Sequence, residues 1–419
     1  MKIITMEKDA FDNYAKTHRY RNFYQSSAYG DLMSEYGFNA HYLGFVDNSN
    51  ELIGATLILY KDIFLGFKYA YAPRGYLIDY TNSNLIIELT SKIKKLLFKQ
   101  KFIYIKIDPL IPCSTRDEQG NILSYNSEIN NILEILKKAN YVHKGFNQYF
   151  ENMKPRWNAY LNFTTNNNNL FKEFSKQIRT KIRKAERNGI EIYLGNKEDI
   201  PKFYEFIKKK HRRPLSYYQT LFNTFPPDMV ELYFARVNSE KYVINAKNQY
   251  ETETIRNEEL NQAIQNANGK DIRKILNEKM ESDKLLTAYK TELLTATKLL
   301  QLHPEGVTVG AICIIKYDQG INLLIDGYNP TYSRFNSNYL LKWYLIKKYN
   351  NLGYQYFNLN AITGEFNKPN KYSGLNESKL GFGATATEYI GEFDYIINHL
   401  MYKICEFKPI RKSIQKKVG

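Results

Sequence analysis

Lys379 is the one cation in a glycine-punctuated stretch, Ser373-Gly-Leu-Asn-Glu-Ser-Lys-Leu-Gly-Phe-Gly-Ala384. The stretch reads as a loop beyond the closing strand of an α/β unit, where such units usually hold ligands. Glycine lets backbone approach a ligand closely, and an ammonium there suits a developing oxyanion or a phosphate. The GxxxxGK[ST] spacing of a phosphate loop is absent. A second cationic feature runs from Ile178 to Gly189. Phe174, Ile178, Ile182 and Ala185 make one apolar face of a helix that a glycine ends. Lys176, Arg179, Arg183 and Arg187 stack along another face. Like charges one turn apart repel by roughly a few tenths of a kcal/mol. An RNA backbone or a pyrophosphate would relieve that repulsion; a solvated face flanked by Glu173 and Glu186 is the alternative. A third feature, Lys210-His-Arg-Arg-Pro-Leu-Ser-Tyr-Tyr218, mixes arginine forks suited to phosphate with aromatics. Pro214 bounds a helix there and places Arg213 near its end.

Other chemistries lack their residues. There is no zinc-ligand spacing, no Ser-His-Asp order and no GxSxG elbow, and the six histidines show no ligand pattern. Cys113, Cys313 and Cys405 lie far apart, which argues against a disulfide framework or a metal site and fits a reducing cytosol. Lysine and arginine number 59 against 43 acidic residues, a net charge of +16 that attracts polyanions. A lysine-rich codon usage would produce the same excess. The start MKIITMEKDAFDNYAKTH has no apolar signal region, and no apolar run reaches the roughly 18 residues of a membrane span. The expectation is a cytoplasmic chain, with peripheral contact at a membrane surface left open.

These side chains need a scaffold, and 419 residues exceed one ordinary core, so two domains are expected. The chain carries a weak internal duplication. Ala40–Val46 and Leu52–Tyr60 read as a hairpin about the turn Asp47–Glu51, followed by a strand (Phe67–Ala72), a helical stripe (Leu85, Leu89, Ile93, Leu96, Leu97) and a strand Phe102–Ile107. Val230–Val237, Val307–Tyr317, Ile321–Tyr328, a helix over Asn336–Asn350 and Tyr354–Leu359 repeat that order. The order resembles the acyltransferase fold of the GNAT type. Where the first copy has the short turn, the second has Ser239–His303, without proline and with one glycine, Gly269. Two helices of about 28 residues meeting there would project roughly 40 Å. Leu286, Tyr289, Leu293, Ala296 and Leu300 form a coiled-coil seam; Ile255, Leu260 and Ile264 are its counterpart on the first helix. A spacer or an oligomerisation element is the alternative to an RNA-contacting arm. Asn166–Asn169 reads as a loop.

Gln25-Ser26, Ala72-Pro-Arg-Gly75, Ile107-Asp-Pro109, the 178–189 helix, Arg213-Pro-Leu-Ser-Tyr-Tyr218, Ser378-Lys-Leu-Gly-Phe-Gly383 and Tyr389-Ile-Gly-Glu-Phe393 follow one another in an order that resembles the FemABX family. The resemblance covers nearly the whole chain. It implies an α/β (α+β) fold of two GNAT-like subdomains in tandem with an inserted antiparallel coiled-coil arm. The expected boundaries are 1–145 for the first subdomain, 146–238 with 304–396 for the second, 239–303 for the arm, and 397–419 for a basic segment packing on the first.

The function implied is tRNA-dependent transfer of an amino acid onto the stem peptide of a peptidoglycan precursor, lipid II or UDP-MurNAc-pentapeptide. No cofactor or metal is expected; aminoacyl-tRNA is the cosubstrate. Association with a second copy or a related transferase, and contact with the inner face of the membrane, belong to the same picture. On this resemblance Lys379 stabilises the tetrahedral intermediate, and Arg213, with Arg74, Tyr217 and Tyr218, holds the acceptor. Asp108 contacts the acceptor peptide and is a candidate base; Lys176, Arg179, Arg183 and Arg187 meet tRNA or phosphate. The family's QSxxWxxxK motif has Tyr29 for its tryptophan and Met33 for its phosphate-binding lysine here. An acyl-CoA-dependent GNAT-like N-acyltransferase is the competing enzyme reading, but no pyrophosphate loop of that kind precedes a helix in either half. A non-catalytic RNA-binding protein with a coiled-coil arm competes from another class.

Overall fold

The computed structural model describes residues 1–64, 66–163, 170–209, 213–266 and 272–406. The Asn166–Asn169 run, the Gly269 turn, Lys210–Arg212 of the second basic cluster and residues 407–419 lie outside the described residues. The first unit opens with β1 (Lys2–Thr5), α1 (Lys8–Thr17) and α2 (Ser27–Ser34). The hairpin β2 (Asn39–Val46) and β3 (Leu52–Phe64) follows, then β4 (Phe67–Ala72), α3 (Ser83–Phe98) and β5 (Phe102–Ile107). Helix α3 forms because Ile86, Leu89, Ile93 and Leu97 recur at helical spacing and bury one stripe, while the Asn82 side chain caps the Leu85 N–H. Strands β2–β4 are antiparallel neighbours, and β4 and β5 run parallel across α3.

A connecting stretch holds β6 (Pro112–Arg116), β7 (Ile122–Tyr125), α4 (Ile129–Lys138), β8 (Tyr141–His143) and β9 (Trp157–Asn162). The short α5 (Leu170–Glu173) and the basic helix α6 (Lys176–Arg187) lead to β10 (Ile190–Leu194), α7 (Ile200–Ile207), α8 (Leu215–Thr224) and β11 (Val230–Val237). The arm is α9 (Ser239–Asn266) and α10 (Ile272–Leu302). The second unit then continues through β12 (Val307–Tyr317), β13 (Gly320–Tyr328), α11 (Ser337–Asn351) and β14 (Tyr356–Ala361). The chain closes with α12 (Ser373–Leu380), β15 (Thr385–Tyr389), β16 (Phe393–Ile396) and α13 (His399–Glu406).

Strands β11 to β14 repeat the pairing of β2 to β5, two antiparallel contacts and then a parallel one across a helix. The arm therefore occupies the place of the Asp47–Glu51 turn, and its ends meet: the Ser239 hydroxyl donates to the His303 carbonyl at 2.7 Å.

Two features correct the expected map. The sheets run β1-β2-β3-β4-β5-β16-β8 and β10-β11-β12-β13-β14-β9-β15-β6-β7. Strands β6 and β7, placed before residue 145, thus belong to the second sheet, and β16, placed before 396, belongs to the first. Which sheet a short strand joins is settled by distant pairing partners, not by its own residues. On α9, Ile255 is 58% exposed, whereas Glu253 and Asn257 are buried against Ser282 of α10. Ser282 donates to Glu253 at 2.6 Å, and Asn257 donates to Ser282 at 3.0 Å. The seam keeps its heptad spacing but fills one layer with polar groups, a known means of setting register.

An apolar cluster joins the two units. Phe11, Leu32, Leu57 and Leu59 of the first pack with Phe203, Leu221, Leu232, Cys313 and Ile315 of the second. The candidate site lies on this junction.

Candidate active site

Two adjoining cavities open where the units meet. One, of about 150 Å³, is lined by Tyr24, Tyr29, Lys154, Arg213, Tyr217 and Tyr218 over an apolar floor that includes Leu221 and Phe225. The other shares Phe23, Tyr24 and Leu324 with it and is lined by Arg74, Asn158, Tyr160, Tyr317, Asn322, Asn358 and Asn360. Buried Gln25 ties the segment before α2 to β3 and to the turn after β4. Its side chain accepts from Leu57 N–H at 2.7 Å and donates to the Pro73 carbonyl at 2.8 Å. Ser26 accepts from Tyr29 N–H and so starts the helix that carries Tyr29 and Leu32.

Arg74 sits at the tip of the Pro73-Arg-Gly75 turn with a φ of 54°. The turn is held by Asp108, whose Oδ1 accepts from Arg74 N–H at 2.6 Å and whose Oδ2 accepts from Tyr71 at 3.1 Å. The Arg74 guanidinium lies 3.6 Å from Oδ2, donates to the Pro155 carbonyl at 2.7 Å and stacks on Tyr389. Burial pushes the Asp108 carboxyl up to about 6, against the opposing pull of Arg74. Asp108 itself lines neither cavity.

Arg213 lies over the Tyr217 ring at 4.4 Å, and the Lys154 ammonium lies 4.3 Å from the centre of Tyr24. Burial, reinforced by Arg213, holds Lys154 down to about 7.

Lys379 stands in a different setting. The sequence suggests a loop; the structure forms α12, with Lys379 in its last turn and Gly381 closing it. The helix is anchored by buried Asn376, which accepts from Thr363 N–H and donates to the Thr363 carbonyl, both at 3.0 Å. That anchor lies across a strand end, beyond the reach of local periodicity. The Lys379 ammonium donates to the Ala361 carbonyl at 2.7 Å. Burial holds it down to about 8, with Asp326 opposing and Lys342 reinforcing; Lys342 and Asp326 are themselves an ion pair.

The residues after Lys379 dock on the start of the basic helix. Ser175 N–H donates to the Gly381 carbonyl at 2.8 Å, and the rings of Phe174 and Phe382 meet at 5.2 Å. Ile178, Ile182 and Ala185 of α6 are buried, as their spacing requires, while Lys176, Arg183 and Arg187 are exposed and Arg179 is half-buried. At the other end of α6, Asn245 of the arm donates to the Arg187 carbonyl at 2.9 Å.

The sequence model of the FemAB family matches residues 6–408. The chain belongs to the FemAB family. Aminoacyltransferase FemA of Staphylococcus epidermidis (strain RP62A) is 25% identical to it over 98% of this chain and 99% of its own. Aminoacyltransferase FemA of Staphylococcus aureus (strain MW2) is 23% identical, over 96% and 97%. A crystal structure of FemX superposes with a TM-score of 0.73 at 20% identity, covering 96% of this chain and 99% of that one. The fold is therefore the expected one, two GNAT-like units in tandem with an inserted helical arm, and this FemAB member is an aminoacyltransferase.

Within that family frame the site residues fall into two groups. Arg213, Tyr217 and Tyr218 line one cavity and Arg74 the next, with Asp108 directly behind Arg74. Lys379 and the α6 cations form the second group, and no hydrogen bond or ion pair joins Lys379 to Asp108. Lys154 and the asparagine-lined cavity are absent from the sequence reading. A single lysine before Pro155 has no periodicity or motif to mark it, and the asparagines come from three separate strands. Among the described residues, no helix is long and apolar enough to cross a membrane, and no three metal-ligating side chains cluster.

Proposed function

We propose that this chain transfers the aminoacyl group of an aminoacyl-tRNA to the side-chain amine of a peptidoglycan stem peptide, carried on lipid II or UDP-MurNAc-pentapeptide. The observation that carries the reading is the Ser175–Gly381 hydrogen bond. It locks the cationic helix α6 to the helix bearing Lys379, so a polyanion lying along α6 ends beside a half-buried ammonium. The attacking nitrogen bonds to the ester carbonyl carbon and a tetrahedral oxyanion forms. Collapse then expels the ribose oxygen of the tRNA, which takes up the proton that the amine releases. The ester is already activated, so alignment and charge stabilisation supply most of the rate. Lys379 is the donor to the oxyanion. Arg213, Tyr217 and Tyr218 receive the acceptor's phosphates, and Arg74 borders the acceptor peptide. Asp108 keeps the Arg74 turn in place, its oxygens being engaged there; the tRNA hydroxyl or the substrate serves as the base. No bound cofactor enters the reaction.

The test is to offer mixed charged tRNAs with lipid II and, separately, with UDP-MurNAc-pentapeptide, and to weigh the products. An acceptor heavier by one aminoacyl residue is expected. Failure with every donor, alongside transfer from acyl-CoA, would replace this reading.

A further inference from the structure

Lys154 and Arg213 come from separate segments, yet they line one small cavity. Among the described residues no carboxylate lies within ion-pair distance of either. Two like charges gathered over an apolar floor, both on half-buried side chains, repel each other, which a bound anion would relieve. Tyr24, Tyr29, Tyr217 and Tyr218 line the same cavity. The Lys154 ammonium lies 3.4 Å from the Tyr29 hydroxyl and is aimed across the Tyr24 ring, a fixed position for a side chain that otherwise roams.

Met33, on the same helix as Tyr29, is 3% exposed and packed in the core, so α2 itself brings no cation to this wall. Lys154 brings one to Tyr29 from the segment that leads into β9.

We infer that Lys154 supplies a second cation to the acceptor's phosphate site, a point charge beside the fork already assigned to Arg213. This rests on the proposed function and names how its phosphate-bearing acceptor is distinguished from a bare stem peptide. The groups facing Lys154 are the cations Arg213 and Arg74, the carboxylate of Asp108, the Tyr29 hydroxyl and the rings of Tyr24 and Tyr29. Because burial and Arg213 keep the free amine near 7, an arriving diphosphate recharges it and binds with proton uptake.

Steady-state kinetics on the full chain should compare wild type, Lys154→Met and Lys154→Arg with two acceptors, UDP-MurNAc-pentapeptide and the free stem peptide. Lys154→Met should raise KM for the UDP-linked acceptor by about 10- to 100-fold, the scale of one charge-assisted bond, and much less for the free peptide. In wild type the KM for the UDP-linked acceptor should rise with pH through 7. Lys154→Arg should keep a low KM and lose that pH dependence. Equal losses on both acceptors would overturn the diphosphate role. A loss appearing instead in KM for aminoacyl-tRNA would assign the phosphate to the tRNA and overturn it equally. Calorimetric titration of inorganic pyrophosphate into wild type and Lys154→Met reads the site without turnover. Weaker binding in the variant supports the site even if no acceptor is used, and equal binding in both proteins sinks it.

Discussion

Above pH 8 the rate of transfer should fall tenfold per pH unit, and the fall should belong to Lys379. The ammonium is half-buried, donates to the Ala361 carbonyl and is held down to about 8 by burial, with Lys342 adding to the effect and Asp326 opposing it. If the charged form stabilises the oxyanion, about one tenth of the enzyme stays competent at pH 9 and about one hundredth at pH 10. The attacking amine moves the other way, since it gains reactivity as it loses its proton, so it cannot produce a falling limb. Nor can unfolding driven by this residue. Its folded value lies below the unfolded one, so between about 8 and 10.5 the unfolded chain binds more protons and this group adds stability as pH rises. Lys379→Arg keeps its charge through this range and should move the limb beyond the measurable pH, whatever its absolute rate. Lys379→Met should lose about 10² in turnover, the scale of one oxyanion donor, while folding normally. The assay is single turnover with enzyme in excess over aminoacyl-tRNA, each point corrected for ester hydrolysis in an enzyme-free blank. A wild-type rate flat to pH 9.5, or a Lys379→Arg variant with an unshifted limb, would refute the charge-stabilisation argument.

Arg213→Ala should raise KM for the UDP-linked acceptor more than for the free stem peptide, because Arg213 lines the cavity with its guanidinium over Tyr217 and such a fork suits phosphate; equal rises would remove the phosphate role. Gly381→Ala should lower both turnover and melting temperature. Its Cβ would come within 2.7 Å of the Glu377 carbonyl, 2.8 Å of Ile178 and 2.9 Å of the Ser175 hydroxyl. Overpacking of that kind costs about 1–3 kcal/mol, and a melting scan identical to wild type would show that α12 does not depend on this fit. Shortening the arm by matched heptads should leave circular dichroism melting within a few degrees and mainly reduce tRNA use. The trimming must stop short of Tyr242, Ala246, Ala296 and Leu299, which belong to the second unit's core. Early melting of a protein trimmed only beyond them would mean that the outer arm supports the fold.

Much of this molecule can be read along the chain because its information is local. The stripe of α3, the apolar face of α6 and the repeated order of hairpin, strand, helix and strand all follow from spacing, since each residue's burial is set by its near neighbours. Inserting the arm at a turn is legible for the same reason: a turn joins adjacent strand ends, and lengthening it costs little closure entropy. Arg213, Tyr217 and Tyr218 also declare themselves, as neighbours in one short stretch. Other features depend on partners far away in sequence. Strand β16 finds β5 and β8, and Asp108 finds the Arg74 backbone. Glu253 and Asn257 turn inward only because Ser282 answers them across the arm. Lys154 carries no local mark at all. Its character comes from the tyrosines and the arginine that packing places around it. Periodicity reports which face of an element is buried, but hydrogen-bond partners, dielectric surroundings and the meeting of like charges exist only once distant segments have closed on one another. Tertiary structure alone gathers these residues around one cavity.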